Sequence, residues 1–262
     1  MGNEDKQPEV DILDNNYPLI SRLRDKAPGT FQHCTNVKDL LVAVGSDLGN
    51  LDMFVLKALG MLHDQGKTKQ PEFFTENQMA PMGNPHDELE PWVSHRIICA
   101  HVDATAEILV NDPNVPRFVV QCCTQHHGTT VMRYFKDKAE ALAEETGQEI
   151  NPDEYRYKGT KPQSFEAALL MICDVAEAAC RSKGQAGTLE REDIPGFVET
   201  LFRNLDDDGQ FDEVHMGERG LGDLRRAREI ISQAIQNQHH KRVDYDKAKE
   251  AKKDGEAEGK KP

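Results

Sequence analysis

The sequence predicts an all-α fold, and the spacing of its apolar residues is the main reason. Four segments carry apolar residues at helical spacing, and no segment shows the long apolar–polar alternation that indicates a sheet. Stretches that contain Pro and Gly separate these segments at residues 81–91, 111–116 and 158–162. With 262 residues, the chain is long enough for one large domain or two small ones.

The four helical segments follow one another along the chain. The first is predicted over residues 33–48, with His33 at its start, and the second over residues 115–126. The charged stretch 136–157 lies before the third segment and is expected to form an exposed helix and loop. The apolar stripes are Val37, Leu40, Leu41, Val44 and Leu48; Val115, Phe118, Val119 and Cys122; Phe165, Ala168, Leu169, Ile172 and Ala176; and Leu224, Ala227, Ile231, Ala234 and Ile235.

The two ends of the chain differ in composition from its middle. Residues 1–17 are polar and are predicted to form a flexible N-terminal segment. Residues 244–262 end in the charged run KKDGEAEGKKP and are predicted to form a disordered tail. The predicted folded domain therefore spans residues 18–243.

Composition limits the functional classes that fit this chain. A net charge of −14 argues against broad binding to the phosphate backbone of DNA or RNA. It leaves room for a small anionic substrate, because bound metal ions reverse the local field. No apolar run is long enough to span a bilayer and the start has no signal-peptide core, so a cytoplasmic location is expected. The six cysteines form no CxxC pair and are expected to be free thiols.

Histidines and aspartates lie on or beside the apolar segments. A buried carboxylate or imidazole without a partner is costly, and a divalent metal ion bound among several of them removes that cost. Each residue alone is more often a cap, a surface group or a structural group, so the combination carries the argument. Asp64 has two oxygens that can bridge two ions, and adjacent pairs of ligands suit a dinuclear centre. The candidate ligands are His33, His63, Asp64, His101, His126, His127 and Asp174.

Two other patterns are set aside. Residues 204–215 resemble a calcium-binding loop, but the twelfth position holds His215 where a bidentate Glu is needed. The adjacent Cys122 and Cys123 precede a histidine pair, yet adjacent cysteines do not easily complete a tetrahedral zinc site with those histidines. The remaining histidines are interpreted as structural or solvated, namely His86, His95, His215, His239 and His240.

The run HDQGK resembles the HDxGK signature of HD-domain phosphohydrolases. The wider match, over about residues 18–243, is to the cytoplasmic HD domain of bacterial seven-transmembrane HD receptors, which are cyclic di-AMP phosphodiesterases. It implies an all-α HD-domain helical bundle with a central dinuclear metal site. The segments that carry this resemblance are APGTFQH (27–33), GMLHDQGK (60–67), PEFFTENQ (71–78), NPHDEL (84–89), AHV (100–102), QHHGTT (125–130), YRYKGTKPQS (155–164) and CDVAEAACRS (173–182).

The resemblance also implies how the ligands divide between two ions. His33, His63 and Asp174 would hold one ion, His101, His126 and His127 would hold the other, and Asp64 would bridge them. The family usually holds iron or manganese, so two divalent ions of this kind are expected as cofactors. The chain departs from the family pattern at Phe31-Gln32, where Tyr-His is frequent, and at Gln65, where Ile is typical and where the amide is expected near the metals. The 262 residues also contain no segment that resembles the membrane helices or the extracellular domain of those receptors.

The implied reaction is hydrolysis of cyclic di-AMP to a linear 5′-phosphorylated dinucleotide. Two metal ions activate water and clamp a phosphodiester. Asp64 and Lys67 are the expected catalytic residues, and Lys67, Arg133, Tyr157 and Lys161 are the expected substrate contacts, although Lys67 is equally well a surface lysine. Two alternatives stay open: an HD phosphohydrolase for another nucleotide or for cyclic di-GMP, and a cyclic-dinucleotide sensor without turnover. The GYP element of cyclic di-GMP enzymes is missing here, and an intact ligand set argues against a pure sensor.

Overall fold

The computed structural model describes residues 10–78, 83–147, 149–220 and 222–238. Within these ranges the chain forms nine α-helices, several short 3-10 helices and no sheet, only two isolated β-bridges. The all-α prediction is therefore confirmed. The helices are α1 (Pro18–Lys26), α2 (Pro28–Leu48), α3 (Met53–Leu62), α4 (Pro91–Val110), α5 (Arg117–Gln125), α6 (Arg133–Thr146), α7 (Phe165–Gln185), α8 (Ile194–Asp207) and α9 (222–238).

Helix α2 begins earlier than its apolar stripe predicts. Pro28 occupies the first turn of the helix, where its fixed φ and missing N–H are tolerated, so His33 lies in the second turn rather than at the start. The prediction that the helix opens at His33 was therefore wrong. The reason is that Thr30 and His33 are polar but buried, so the buried face of these first turns has no apolar signature.

Helices α2 and α7 pack against each other through the main hydrophobic core. Both are 21 residues long, and Leu40 and Leu41 of α2 and Leu169 and Leu170 of α7 have no exposed surface. Burying one such side chain stabilises the fold by ~1.5–3 kcal/mol. Because the core fixes α2 against α7, it also fixes the polar residues that these helices carry.

The N-terminal boundary of the packed chain lies before residue 18. Residues 1–9 of the predicted flexible segment lie outside the described residues, but Ile12 and Tyr17 are buried in the main core. The Tyr17 hydroxyl also donates a hydrogen bond of 2.6 Å to Asp112. Residues 10–17 are therefore part of the packed chain, whereas the predicted tail 244–262 and the last two histidines, His239 and His240, lie outside the described residues.

Helix α6 belongs to a second, smaller hydrophobic cluster. Phe135 and Ala139 of α6 pack with Tyr155, and Ile98 of α4 lies against them. Two backbone hydrogen bonds close the segment at its base, from Met132 N to Tyr155 O (2.9 Å) and from Tyr157 N to Thr130 O (3.0 Å). The segment 136–157, which was expected to form an exposed helix and loop, thus contains most of α6 and then returns to the chain that follows α5. The two hydrogen bonds place Tyr157 beside that chain.

Three simpler expectations can be compared with the structure. The six cysteines are free thiols, and all except Cys99 are buried. None of the helices in the described ranges is both long and apolar enough to cross a bilayer. The calcium-like segment 204–215 contains a tight turn in which the Asp208 carboxylate accepts two hydrogen bonds from Arg156, at 3.0 and 3.1 Å.

Candidate metal centre

The seven candidate ligands come from five helices and the residues that follow them. His33 lies in α2, His101 in α4 and Asp174 in α7. His63 and Asp64 follow α3, and His126 and His127 follow α5. Short contacts connect all seven: His33 to Asp174 (3.0 Å), His33 to His63 (3.3 Å), His63 to Asp64 (3.4 Å), Asp64 to His101 (3.4 Å), His101 to His126 (3.4 Å) and His127 to Asp174 (3.7 Å).

Asp64 lies between two groups of imidazoles. Its Oδ2 is 3.4 Å from Nε2 of His63 and 3.6 Å from Nε2 of His33. Its Oδ1 is 3.4 Å from Nε2 of His101 and 3.7 Å from Nε2 of His126. Asp64 is 1% exposed, and its Oδ2 also lies 2.7 Å from the ammonium of Lys67, whereas Oδ1 has no hydrogen-bond partner among the described residues. A buried carboxylate oxygen without a hydrogen bond is costly, so the position of Asp64 between the two groups of imidazoles favours cations there.

Three of the imidazoles point their Nε2 atoms inward because their Nδ1 atoms have backbone partners. Nδ1 of His63, His101 and His126 each faces a backbone carbonyl three residues earlier, at 3.0, 2.6 and 2.5 Å. A carbonyl only accepts hydrogen bonds, so each Nδ1 carries the proton and each Nε2 keeps its lone pair in the neutral ring.

The inward-facing nitrogens form two close pairs. Nε2 of His101 and Nε2 of His126 are 3.4 Å apart, and Nε2 of His33 and Nε2 of His63 are 3.3 Å apart. In the His101–His126 pair, two neutral rings would bring their lone pairs together, and a metal ion bound by both nitrogens removes that repulsion. Five imidazoles with two carboxylates are a donor set that suits divalent first-row metals. The residues present therefore fit two metal ions.

Glu177 is a functional residue that the sequence analysis missed. His33 Nδ1 donates a 2.6 Å hydrogen bond to Glu177 Oε2, which fixes the orientation of the ring. Asn36 donates to the other oxygen of Glu177 (2.7 Å), and Arg181 donates to Oε2 (3.2 Å). Glu177 lies three residues after Asp174 on α7, so the helical repeat puts both side chains on one face. That spacing was the only available signal, and a surface glutamate has the same spacing.

The electrostatic environment differs between the imidazoles. Burial opposes protonation of His33, but hydrogen bonds with Asp174 and Glu177 outweigh burial and raise the pKa of His33 to about 10. Burial lowers the pKa of His101 to about 4, and burial likewise lowers the pKa of His127. The difference arises because two carboxylates, Asp174 and Glu177, lie on the His33 side of Asp64.

Lys67 lies at the edge of the centre. Its ammonium is 2.7 Å from Asp64 Oδ2 and 3.0 Å from Glu76 Oε1, and its side chain is 13% exposed. The intervening Gly66 explains part of the HDQGK motif, because a Cβ at this position would lie 2.0 Å from the carbonyl oxygen of His101. Gly66 therefore lets the chain after Asp64 pass directly against α4.

The other predicted substrate contacts lie in different places. The Tyr157 ring stacks on the His127 ring, with centroids 4.3 Å apart, and both residues line a cavity of about 480 Å³. Arg133 lines a separate cavity of about 580 Å³. Lys161 forms an ion pair with Asp212 at 3.6 Å. The structure thus brings Lys67 and Tyr157 to the ligand set, and it places Arg133 and Lys161 elsewhere.

Gln65 departs from the family pattern and is buried without a partner in the part of the chain that the structure describes. Its side chain is fully buried, and its amide has no hydrogen-bond partner among the described residues. A buried amide of this kind costs ~1–3 kcal/mol. The prediction that this amide lies near the metals is therefore supported by no contact among the described residues.

The chain resembles known proteins in sequence over most of its length. The HD domain family model matches residues 30–179. The cyclic-di-AMP phosphodiesterase PgpH of Listeria monocytogenes is 34% identical over 237 residues, which cover 90% of this chain and 31% of that protein. PgpH of Bacillus subtilis is 33% identical over 239 residues, which cover 91% of this chain and 32% of that protein. The chain therefore spans about a third of the length of these curated relatives.

Solved structures resemble the chain over the same region. The crystal structure of the L. monocytogenes PgpH HD domain has a TM-score of 0.72 and 32% identity, and the match covers 87% of this chain and all of that one. The same domain in complex with cyclic-di-AMP has a TM-score of 0.72 and 33% identity, and the match covers 86% of this chain and 97% of that one.

Proposed function

The chain belongs to the HD domain family, and from that premise we propose that it is a metal-dependent phosphodiesterase that hydrolyses cyclic di-AMP to a linear 5′-phosphorylated dinucleotide. The observation that carries this proposal is the buried Asp64 carboxylate, which faces two imidazoles with each of its oxygens. The substrate assignment is supported by relatives named for this activity and by a similar domain in complex with cyclic-di-AMP.

The residues that would hold two metal ions divide around Asp64. His33, His63 and Asp174 would bind the first ion, His101, His126 and His127 would bind the second, and Asp64 would bind both. Iron or manganese is the proposed metal, since imidazole and carboxylate ligands suit both. When bound, two such ions activate water for attack and neutralise charge on the phosphodiester.

The protein's own groups would bind and orient the substrate. Lys67 is close enough to Asp64 to contact a phosphate oxygen beside it, and its long side chain already lies against the centre. Tyr157 is proposed to contact the substrate where it stacks on His127. Arg133 and Lys161 remain proposed substrate contacts, and the cavity beside Arg133 has the volume for a nucleobase. The burial of the ligands excludes bulk water, which strengthens the electrostatic contribution of each group.

The proposed cellular setting follows from charge and substrate. Cyclic dinucleotides are small anions, and a chain with a net charge of −14 needs a local positive centre to bind them rather than a basic surface. We therefore propose a small-molecule substrate, no binding to nucleic acid polymers and a cytoplasmic location.

A substrate screen tests the proposal directly. The chain is stripped of metal, reloaded with Mn(II) or anaerobically with Fe(II), and incubated separately with cyclic di-AMP, cyclic di-GMP and mononucleotides, with products identified by mass. The expected result is a linear 5′-phosphorylated diadenylate, with a higher kcat/KM for cyclic di-AMP than for cyclic di-GMP. Equal or reversed efficiencies would remove the adenine preference, and hydrolysis of mononucleotides alone would contradict the dinucleotide assignment. Tight binding without turnover, with both metals present, would indicate a sensor.

A further inference from the structure

Lys67 lies between two carboxylates of different kinds. One is Asp64, a proposed ligand of both metals, at 2.7 Å. The other is Glu76, at 3.0 Å from the Lys67 ammonium, with a side chain that is only 8% exposed. The ammonium also lies 5.0 Å from the centre of the Phe74 ring. Since metal ions would compete for the oxygens of Asp64, Glu76 is the carboxylate that stays available to Lys67.

Glu76 is itself held in place by the start of α2. The Thr30 hydroxyl donates a 3.1 Å hydrogen bond to Glu76 Oε1, the same oxygen that faces Lys67. Asn77 binds Thr30 twice, accepting from its backbone N–H (3.1 Å) and donating to its hydroxyl (2.8 Å). Gly29 permits this contact, because a Cβ there would lie 1.8 Å from the carbonyl oxygen of Glu76. The segment with Glu76 is therefore fixed to the helix that carries His33.

We propose that Glu76 is a positioning residue, which holds the Lys67 ammonium at the edge of the metal centre where it contacts a substrate phosphate. The inference rests on the proposed function of Lys67. A free lysine side chain has several rotatable bonds and loses conformational entropy when it is fixed, so a lysine that is already fixed binds phosphate more tightly. Glu76 does this without contacting either the substrate or the metals.

The test is a double-mutant cycle on the metal-loaded protein. The wild type, Glu76→Gln, Lys67→Met and the double variant are compared for binding of inorganic phosphate by calorimetry and for kcat and KM with cyclic di-AMP. Metal content and Tm are measured for each variant. Glu72→Gln is the matched control, because it makes the same substitution at an exposed position of the same segment.

We expect Glu76→Gln to keep two metal ions and to weaken phosphate binding about tenfold, because it loses a hydrogen bond between charged groups. In the Lys67→Met background the same substitution should change phosphate binding less than about twofold, since there is no ammonium left to position. The Glu72→Gln control should match the wild type. Glu76→Asp, which keeps the charge on a shorter side chain, should retain most of the phosphate affinity.

Other outcomes separate this inference from the proposed function. Equal losses in both backgrounds, loss of a metal ion in Glu76→Gln, or a loss in Glu76→Asp as large as that in Glu76→Gln would each overturn the positioning role. If cyclic di-AMP is not hydrolysed but the phosphate cycle behaves as expected, the substrate assignment fails and the role of Glu76 stands.

Discussion

The two halves of the candidate metal centre differ in how their imidazoles are oriented. In the first half, His33 donates from Nδ1 to the side chain of Glu177. In the second half, His101 and His126 donate from Nδ1 to backbone carbonyls three residues earlier. His63 belongs to the first half but also uses a backbone carbonyl, that of Gly60. His33 therefore depends on a chain of side chains, whereas His63, His101 and His126 depend on the backbone before them.

This difference has consequences for stability and for substitution. His63 and His126 follow directly after α3 and α5, where the last carbonyls lack partners within the helix, so each ring satisfies a carbonyl that is otherwise unpaired. The negative ends of both helix dipoles also point toward the centre and favour a cation there. A hydrogen bond from a histidine ring to a backbone carbonyl does not depend on any side chain other than that histidine. The support of His33 depends instead on the side chain of Glu177.

The largest expected effect is in Asp64→Asn, because Asp64 serves both halves. The amide keeps the shape but loses the charge, so both metal ions should bind weakly and activity should fall by well over a hundredfold, since loss of supporting residues alone costs ~10–100-fold. Metal content by elemental analysis and turnover of cyclic di-AMP are the measurements. Asp25→Asn, an exposed position on α1, is the control and should retain both. Loss of a single ion with activity retained would show that Asp64 does not bridge.

A second pair of variants tests whether the halves are separable. His33→Ala should lose the first ion and His126→Ala the second, so each variant should retain about one metal per chain at saturating metal and lose most activity. The measurement is the number of binding steps when Mn(II) is added to the stripped protein. If either variant loses both ions, the two halves bind cooperatively and the comparison between them does not hold.

Much of the fold and of the ligand set could be predicted from the sequence. The motif residues His63-Asp64 and His126-His127 are adjacent in the chain, and their place after apolar helices is visible without a structure. Four apolar stripes were enough to indicate an all-α fold, but not the nine described helices. The apolar stripes do not predict the start of a helix that buries polar residues there, as α2 buries Thr30 and His33.

The supporting residues could not be predicted for a physical reason. Glu177 and Glu76 act through contacts between residues far apart in the chain, 144 residues in the case of His33 and Glu177. A glutamate on a helix has the same local pattern whether it faces solvent or a buried imidazole. The predictions of Arg133 and Lys161 as substrate contacts rest on charge and resemblance alone, and neither of these gives a position in space.

A smaller effect is expected in Glu177→Gln. The amide still accepts a hydrogen bond from His33 but withdraws the charge that orients and strengthens this ligand, so affinity for the first ion should fall ~10–100-fold while the second ion binds as before. Binding of Mn(II) under buffered metal concentrations resolves the two steps. Glu166→Gln, in the first turn of the same helix, is the control. An equal loss at both steps would mean that Glu177 supports the whole centre rather than one half.

The smallest effect should come from Tyr157, which lies outside the set of candidate ligands and stacks on His127 of the second half. Stacked aromatic pairs contribute ~0.5–1.5 kcal/mol, so Tyr157→Ala should weaken binding of the second ion by about two- to tenfold. Tyr157→Phe keeps the ring and should leave metal affinity unchanged, and any rise in KM in this variant reports a contact of the hydroxyl with substrate. Metal binding and KM are therefore measured on both variants. If Tyr157→Ala weakens the second ion as strongly as Glu177→Gln weakens the first, backbone support does not make the second half more tolerant of substitution, and the contrast between the halves is lost.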